Sequence, residues 1–131
     1  MKLIVDTDDT ALYMKTLYSA SEKAVEYMKK TNLAEIRSRK PKYSTKDTDV
    51  MKRQKLKIQA QKNMADMLKI IMTESPEDAI EIAKMFIVLD DGEEYPTGAK
   101  MFDIVIKVFT DREIADFFTL QSQLGQLNLK D

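Results

Sequence analysis

At 131 residues, with 44% hydrophobic and 33% charged side chains, the chain has the size of one domain that can bury a single core. It contains no cysteine and no histidine, which excludes disulfides, thiolate and imidazole metal sites, cysteine nucleophiles and any Ser-His-Asp triad. The formal net charge of -1 hides an asymmetry: residues 36–63 carry ten basic and two acidic side chains, whereas residues 74–131 carry five basic and thirteen acidic ones.

The lead Met1 to Val5, followed by Asp6, Asp8 and Asp9, is too short and too acidic for a signal peptide. No apolar run approaches a membrane span, so a cytoplasmic protein is expected. From Asp9 or Thr10 to Lys30, Leu12, Leu17, Ala20, Ala24, Val25 and Met28 recur at helical steps, with Thr7, Asp8 and Asp9 as cap candidates. Asn32, Ser38, Pro41, Ser44 and Thr45 interrupt the period and predict a basic loop over 31–47, with a helical turn around Leu33 to Ile36.

A second long helix is predicted from about Thr48 to Thr73. Its amino half is charged and sparsely apolar, while Ala60, Met64, Met67, Leu68, Ile71 and Met72 give its carboxyl half a broad apolar stripe. The amino half is therefore expected to project into solvent. Ser75-Pro76-Glu77-Asp78 reads as a capping serine, a proline at the first helical position and two acids in the first turn. The helix it opens is predicted to run to about Leu89 and to be the most buried element.

Ala99 to Phe109 has helical spacing at Met101, Phe102, Val105, Val108 and Phe109, yet Ile104 to Val108 is rich in β-branched residues and also suits a strand. Helix is the preferred reading. Thr110 to Glu113 matches a capping box, Thr-x-x-Glu, opening a last helix with Ile114, Phe117, Phe118, Gln121 and Leu124 along one face. Residues 126–131 are expected to fray. The whole reads as one all-α domain over 1–131: four to five helices in a small bundle, the second helix carrying a projecting basic arm.

Three patterns invite a chemical reading. Leu3-Ile4-Val5-Asp6-Thr7-Asp8-Asp9-Thr10 resembles the first motif of haloacid dehalogenase-like phosphatases, which would make Asp6 a nucleophile and Asp8 an acid/base beside magnesium. That family's later motifs occur here in reversed order, with Ile87-Val88-Leu89-Asp90-Asp91 ahead of Val108-Phe109-Thr110, and its strands are missing. Asp90-Asp91-Gly92-Glu93-Glu94 lacks the alternating acids of a calcium loop and reads as a solvated helix end. No catalytic residue, metal ligand or cofactor is expected.

The basic segment is the third. Arg37, Arg39, Lys40, Lys42, Lys52 and Arg53 form a stripe that could neutralise nucleic-acid phosphates, though without interleaved aromatics for base stacking. The same charges could instead meet the chain's own acidic half or a neighbouring copy. Among apolar residues, Met64, Met67, Met72, Phe117, Phe118, Leu120 and Leu124 are the candidates for a groove that accepts a partner helix.

The stretch from Ser75-Pro76-Glu77-Asp78 through Leu89-Asp90-Asp91-Gly92-Glu93-Glu94 to Glu113-Ile114-Ala115-Asp116-Phe117-Phe118-Thr119-Leu120 resembles the carboxyl half of tail assembly chaperones from tailed bacteriophages of Gram-positive hosts. The resemblance implies a small helical protein without enzymatic activity. It also implies a partner, the long tape measure protein coated in the host cytoplasm before the tail tube forms, and a tendency to make homo-oligomers. The Met1 to Asp9 lead and the basic segment have no counterpart in that pattern. The alternative expectation is a nucleic-acid-associated accessory or regulatory protein acting through residues 37–62.

Overall fold

The computed structural model describes residues 1–128, with side chains through Leu124. Its elements in chain order are β1 (Lys2–Leu3), a 3-10 turn (Ile4–Asp6), α1 (Thr10–Thr31), α2 (Leu33–Arg37), α3 (Asp49–Thr73), α4 (Pro76–Lys84), β2 (Ile87–Val88), α5 (Ala99–Thr110) and α6 (Arg112–Asn128). The fold is all-α, with six helices among the described residues where four to five are predicted. The extra helix is α2: Leu33, Ala34 and Ile36 are buried, so the turn is held by packing as well as by its own hydrogen bonds. The predicted 31–47 loop accordingly contracts, because Thr31 ends α1 and helical backbone continues to Arg37.

Each long helix starts where a side chain can satisfy its free amides. Asp9 Oδ1 accepts from Leu12 N at 3.0 Å to open α1, and Thr48 Oγ1 accepts from Met51 N at 3.2 Å to open α3. Asn32, in the left-handed region at φ 59°, ends α1 and turns the chain into α2. Within α1 the alanines Ala20 and Ala24, one turn apart, are fully buried, and α1 with α6 is the most extensive helix pair among the described residues. Leu12, expected on the buried stripe, is instead exposed at the helix start.

Three local expectations need correction. Ser75 precedes Pro76 as predicted, but its backbone is left-handed at φ 53° and its hydroxyl caps nothing; its carbonyl accepts from Asp78 N at 3.0 Å. Thr110 is the last residue of α5, its hydroxyl donating to the Ile106 carbonyl at 2.6 Å, and the cap of α6 is its neighbour Asp111, which accepts from Ile114 N at 3.0 Å. The predicted third helix stops at Lys84 and does not reach Leu89. Ile87 and Val88 leave it because they pair antiparallel with the chain start, Lys2 opposite Val88 and Leu3 opposite Ile87, where β-branched side chains suit extended backbone.

That short ladder seats Ile4 in the core beside Phe86, whose carbonyl accepts from Ile4 N at 2.8 Å. α5 is a helix: Met101, Ile104, Val105, Val108 and Phe109 are all buried, the i, i+3, i+4, i+7, i+8 pattern that only helical periodicity places on one face. The core is closed by Phe86 and Phe118 in edge-to-face contact at 6.1 Å and by Tyr27 against Phe109 at 5.5 Å. Residues 126–128 continue α6, and the remainder of the tail expected to fray lies outside the described residues.

Candidate functional site

The surface separates into an arm, a stapled basic loop and an apolar groove. The arm is the amino half of α3. The helix's buried residues are Asn63, Met67 and Ile71, all in its carboxyl half. Before Asn63 the helix projects from the core and exposes Val50, Met51, Leu56 and Ile58 together with Lys52, Lys57 and Lys62.

The basic loop is tied to α3 by polar side chains. Asn63, 6% exposed, donates from Nδ2 to the Arg39 carbonyl at 3.0 Å and to the Arg37 carbonyl at 3.5 Å, while its Oδ1 accepts from Gln59 Nε2 at 2.8 Å. One carboxylate oxygen of Asp47 accepts from Ser44 N and from Lys55 Nζ, both at 2.7 Å. These bonds hold the Asp47 carboxyl below the usual carboxylate range, the Lys55 bond contributing most and the Ser44 amide next.

The predicted nucleic-acid residues divide into two groups. Arg37 pairs with Asp116 of α6 at 2.6 Å and Arg39 with Asp66 of α3 at 3.6 Å, so two of the six meet acidic side chains of the same chain. Lys40, Lys42, Lys52 and Arg53 are exposed and form no ion pair among the described residues; Arg53 Nε donates to the Asp49 carbonyl at 3.4 Å.

The predicted partner-binding residues do not share one groove. Met67 and Phe118, 3% and 2% exposed, are core residues, because each lies on the core-facing side of its helix. Phe117 is partly buried against Phe118. Met64 lies with Leu56 beside the basic loop, whereas Leu124 borders a shallow hollow with Tyr18 and Val25. Leu120 is exposed on α6. Met72 alone lies in the apolar groove.

That groove, of about 530 Å³, lies between the end of α3, α4, α5 and residues 95–98. Ile71, Met72, Ile80, Tyr95, Met101 and Phe102 contribute its apolar walls. Its chain path follows from Gly98, whose φ of 60° and ψ of -133° let the backbone swing from Tyr95-Pro96 into α5. At one rim Lys84 Nζ stands 5.3 Å from the centre of the Tyr95 ring and 3.2 Å from Glu81. Sequence reasoning missed Ile80, Tyr95 and Phe102. Phe102 falls within the helical spacing of Met101, Val105 and Val108, so its spacing predicts burial, yet it is 43% exposed at the groove.

Asp6 and Asp8 do not assemble the centre that their motif resembles. Asp6 lies in the 3-10 turn and pairs with Lys107 at 3.0 Å, and the sheet described is an antiparallel ladder of two short strands, not the parallel sheet that family requires. The Asp90–Glu94 loop turns inward on the chain start: the Met1 amine lies 3.0 Å from Asp90 and 2.8 Å from Glu93. Hydrogen bonds to those two carboxylates, Glu93 first, raise the pKa of the amine, and their own pKa values are lowered in return. Among the described residues no cluster of three or more acidic side chains is arranged to hold a metal ion, and no helix is long and apolar enough to cross a membrane. No protein-family model, no curated protein and no solved structure matches the chain.

Proposed function

We propose that the chain is a non-enzymatic, protein-binding assembly chaperone of the tailed-bacteriophage type, shielding apolar helices of a tail tape measure protein in the host cytoplasm and acting as a homo-oligomer. The observation that carries this reading is the groove of about 530 Å³, whose walls are apolar and include the half-exposed Met72 and Phe102. A groove of that kind accepts the apolar face of an amphipathic helix, and methionine adapts its shape to more than one sequence. Burial of apolar surface would dominate such binding, so it should survive moderate salt.

The test is co-expression with a tape measure protein encoded beside the chain, reading how much of that protein stays in the soluble fraction. Wild-type chain should keep it soluble, and Phe102→Lys, a change at a half-exposed position, should not. Equal solubility with both, or with neither, would sink the reading.

A second reading is favoured by one observation, the four exposed cations Lys40, Lys42, Lys52 and Arg53, which lack acidic partners among the described residues. A nucleic-acid-associated accessory or regulatory protein would use them against phosphates. Binding to a DNA or RNA duplex would then fall steeply between low and physiological salt, with a slope set by the number of phosphates neutralised.

A further inference from the structure

The solvent face of α3 has a regularity that neither the groove nor the basic loop explains. Met51, Ile58, Ala65 and Met72 follow one another at steps of seven, and all four are exposed. Gln54, Gln61 and Leu68 fall three residues after the first three of them, which completes the a and d positions of a heptad pattern. This seam runs down the side of α3 opposite Asn63 and Met67, extends roughly 33 Å at the helical rise, and carries Ile58 at 64% exposure. An isolated helical arm with that much uncovered apolar side chain is marginal in water.

The flanks decide what could cover it. Lys55, Lys62 and Lys69 each stand one residue beyond a d position, and Lys57 precedes Ile58 on the other flank. Lys55 is held by Asp47, but Lys57, Lys62 and Lys69 are exposed and unpaired among the described residues. Two copies packed antiparallel along the seam would oppose the lysine row with itself, and two packed parallel would oppose Lys62 with Lys57 of the other copy. Either arrangement places like charges together.

From the phase of the seam and the sign of its flanks, we propose that the exposed face of α3 docks an acidic amphipathic helix of a partner polypeptide. The helix would lay apolar a and d residues on Met51, Ile58, Ala65 and Met72 and carry glutamate or aspartate opposite Lys57, Lys62 and Lys69. Gln54 and Gln61 would fix register, as isolated polar residues do in such seams. This surface is separate from the groove apart from Met72, and the inference does not require that the partner be a tape measure protein.

The probe is a fluorescent peptide of about three heptads with leucine at a and d and glutamate at e and g, compared by anisotropy with one bearing lysine at e and g; like flanks keep each peptide from pairing with itself. Full-length chain should bind the glutamate peptide at least about tenfold more tightly than the lysine peptide, the accumulated effect of several favourable pairs replaced by repulsive ones. Ile58→Lys should abolish binding, and Lys62→Glu with Lys69→Glu should reverse the preference. Phe102→Lys, which removes the groove, should change nothing.

Equal affinity for the two peptides, or binding untouched by Ile58→Lys, would overturn the proposal. So would self-association of the chain alone that Ile58→Lys dissolves, since the occupant would then be a second copy. A DNA duplex that binds through Lys62 and Lys69 but ignores Ile58→Lys, in a chain that does not bind the glutamate peptide, would assign the face to nucleic acid and overturn it too. Loss of peptide binding in Phe102→Lys alone would return the site to the groove.

Discussion

The Arg37 guanidinium lies 2.6 Å from the Asp116 carboxylate, joining the basic segment to α6 in the acidic carboxyl half of the chain. Arg37 is 26% exposed and Asp116 58%, so solvent screens much of the attraction. A double-mutant cycle with Arg37→Ala and Asp116→Ala should give a coupling of about 0.5–1 kcal/mol in urea unfolding, shrinking as salt is added. A coupling near zero at low salt would mean that the pair does not tie the loop down.

Asn63 should matter more. Its amide group is nearly buried and serves the Arg37 and Arg39 carbonyls, so Asn63→Leu leaves those acceptors facing an apolar side chain. A loss of about 1–3 kcal/mol is expected. Amide hydrogen exchange should also accelerate at residues 39–48 more than in α1 or α6. Uniform acceleration across the chain would contradict the stapling role.

Phe118 and Phe102 make a contrasting pair. Phe118 is 2% exposed and touches both Phe86 and Phe117, so Phe118→Ala should cost about 3–5 kcal/mol. Phe102 is 43% exposed at the groove, so Phe102→Ala should leave stability within about 1 kcal/mol of wild type. Thermal melts of the two variants check the difference directly.

Tyr27 predicts an alkaline effect. Its hydroxyl is buried without a hydrogen-bond partner among the described residues, and burial first, then the charges of Asp78 and Glu74, push its pKa up to about 12. The unfolded phenol ionises near pH 10. The neutral phenol therefore supports the fold fully below about pH 10, and that support is lost as pH rises from there toward about 12. Tyr27→Phe should remove this part of the alkaline decline and lose little or nothing at neutral pH. An unchanged pH profile between 10 and 12 would refute the assignment.

How far the sequence carried the architecture can be seen at particular residues. Asp9, Thr48, Asn32 and Pro76 act through their nearest neighbours, so the starts of α1, α3 and α4 and the end of α1 were readable within a residue or two, whereas the end of α4 was not. Residues 99–110 were settled by period, because five buried positions fit one helical face despite their β-branched content. What escaped was long-range. Ile87 and Val88 continue a helical pattern and become a strand only because Lys2 and Leu3 return to pair with them. Asn63 looks like one more polar position in a charged helix until the carbonyls of 37 and 39 are placed over it. The groove was unreadable for the same reason, since Met72, Tyr95 and Phe102 meet only after α4 and α5 have folded back.

The ladder between Lys2–Leu3 and Ile87–Val88 also bears on the order of folding. Closing it spans most of the chain, so its loop entropy is spent for two short strands and the burial of Ile4, late in the ordering of the molecule. Truncating Ile4 to alanine should therefore leave the folding rate nearly untouched and appear as faster unfolding, making the start of the chain the latch of the fold and not its seed.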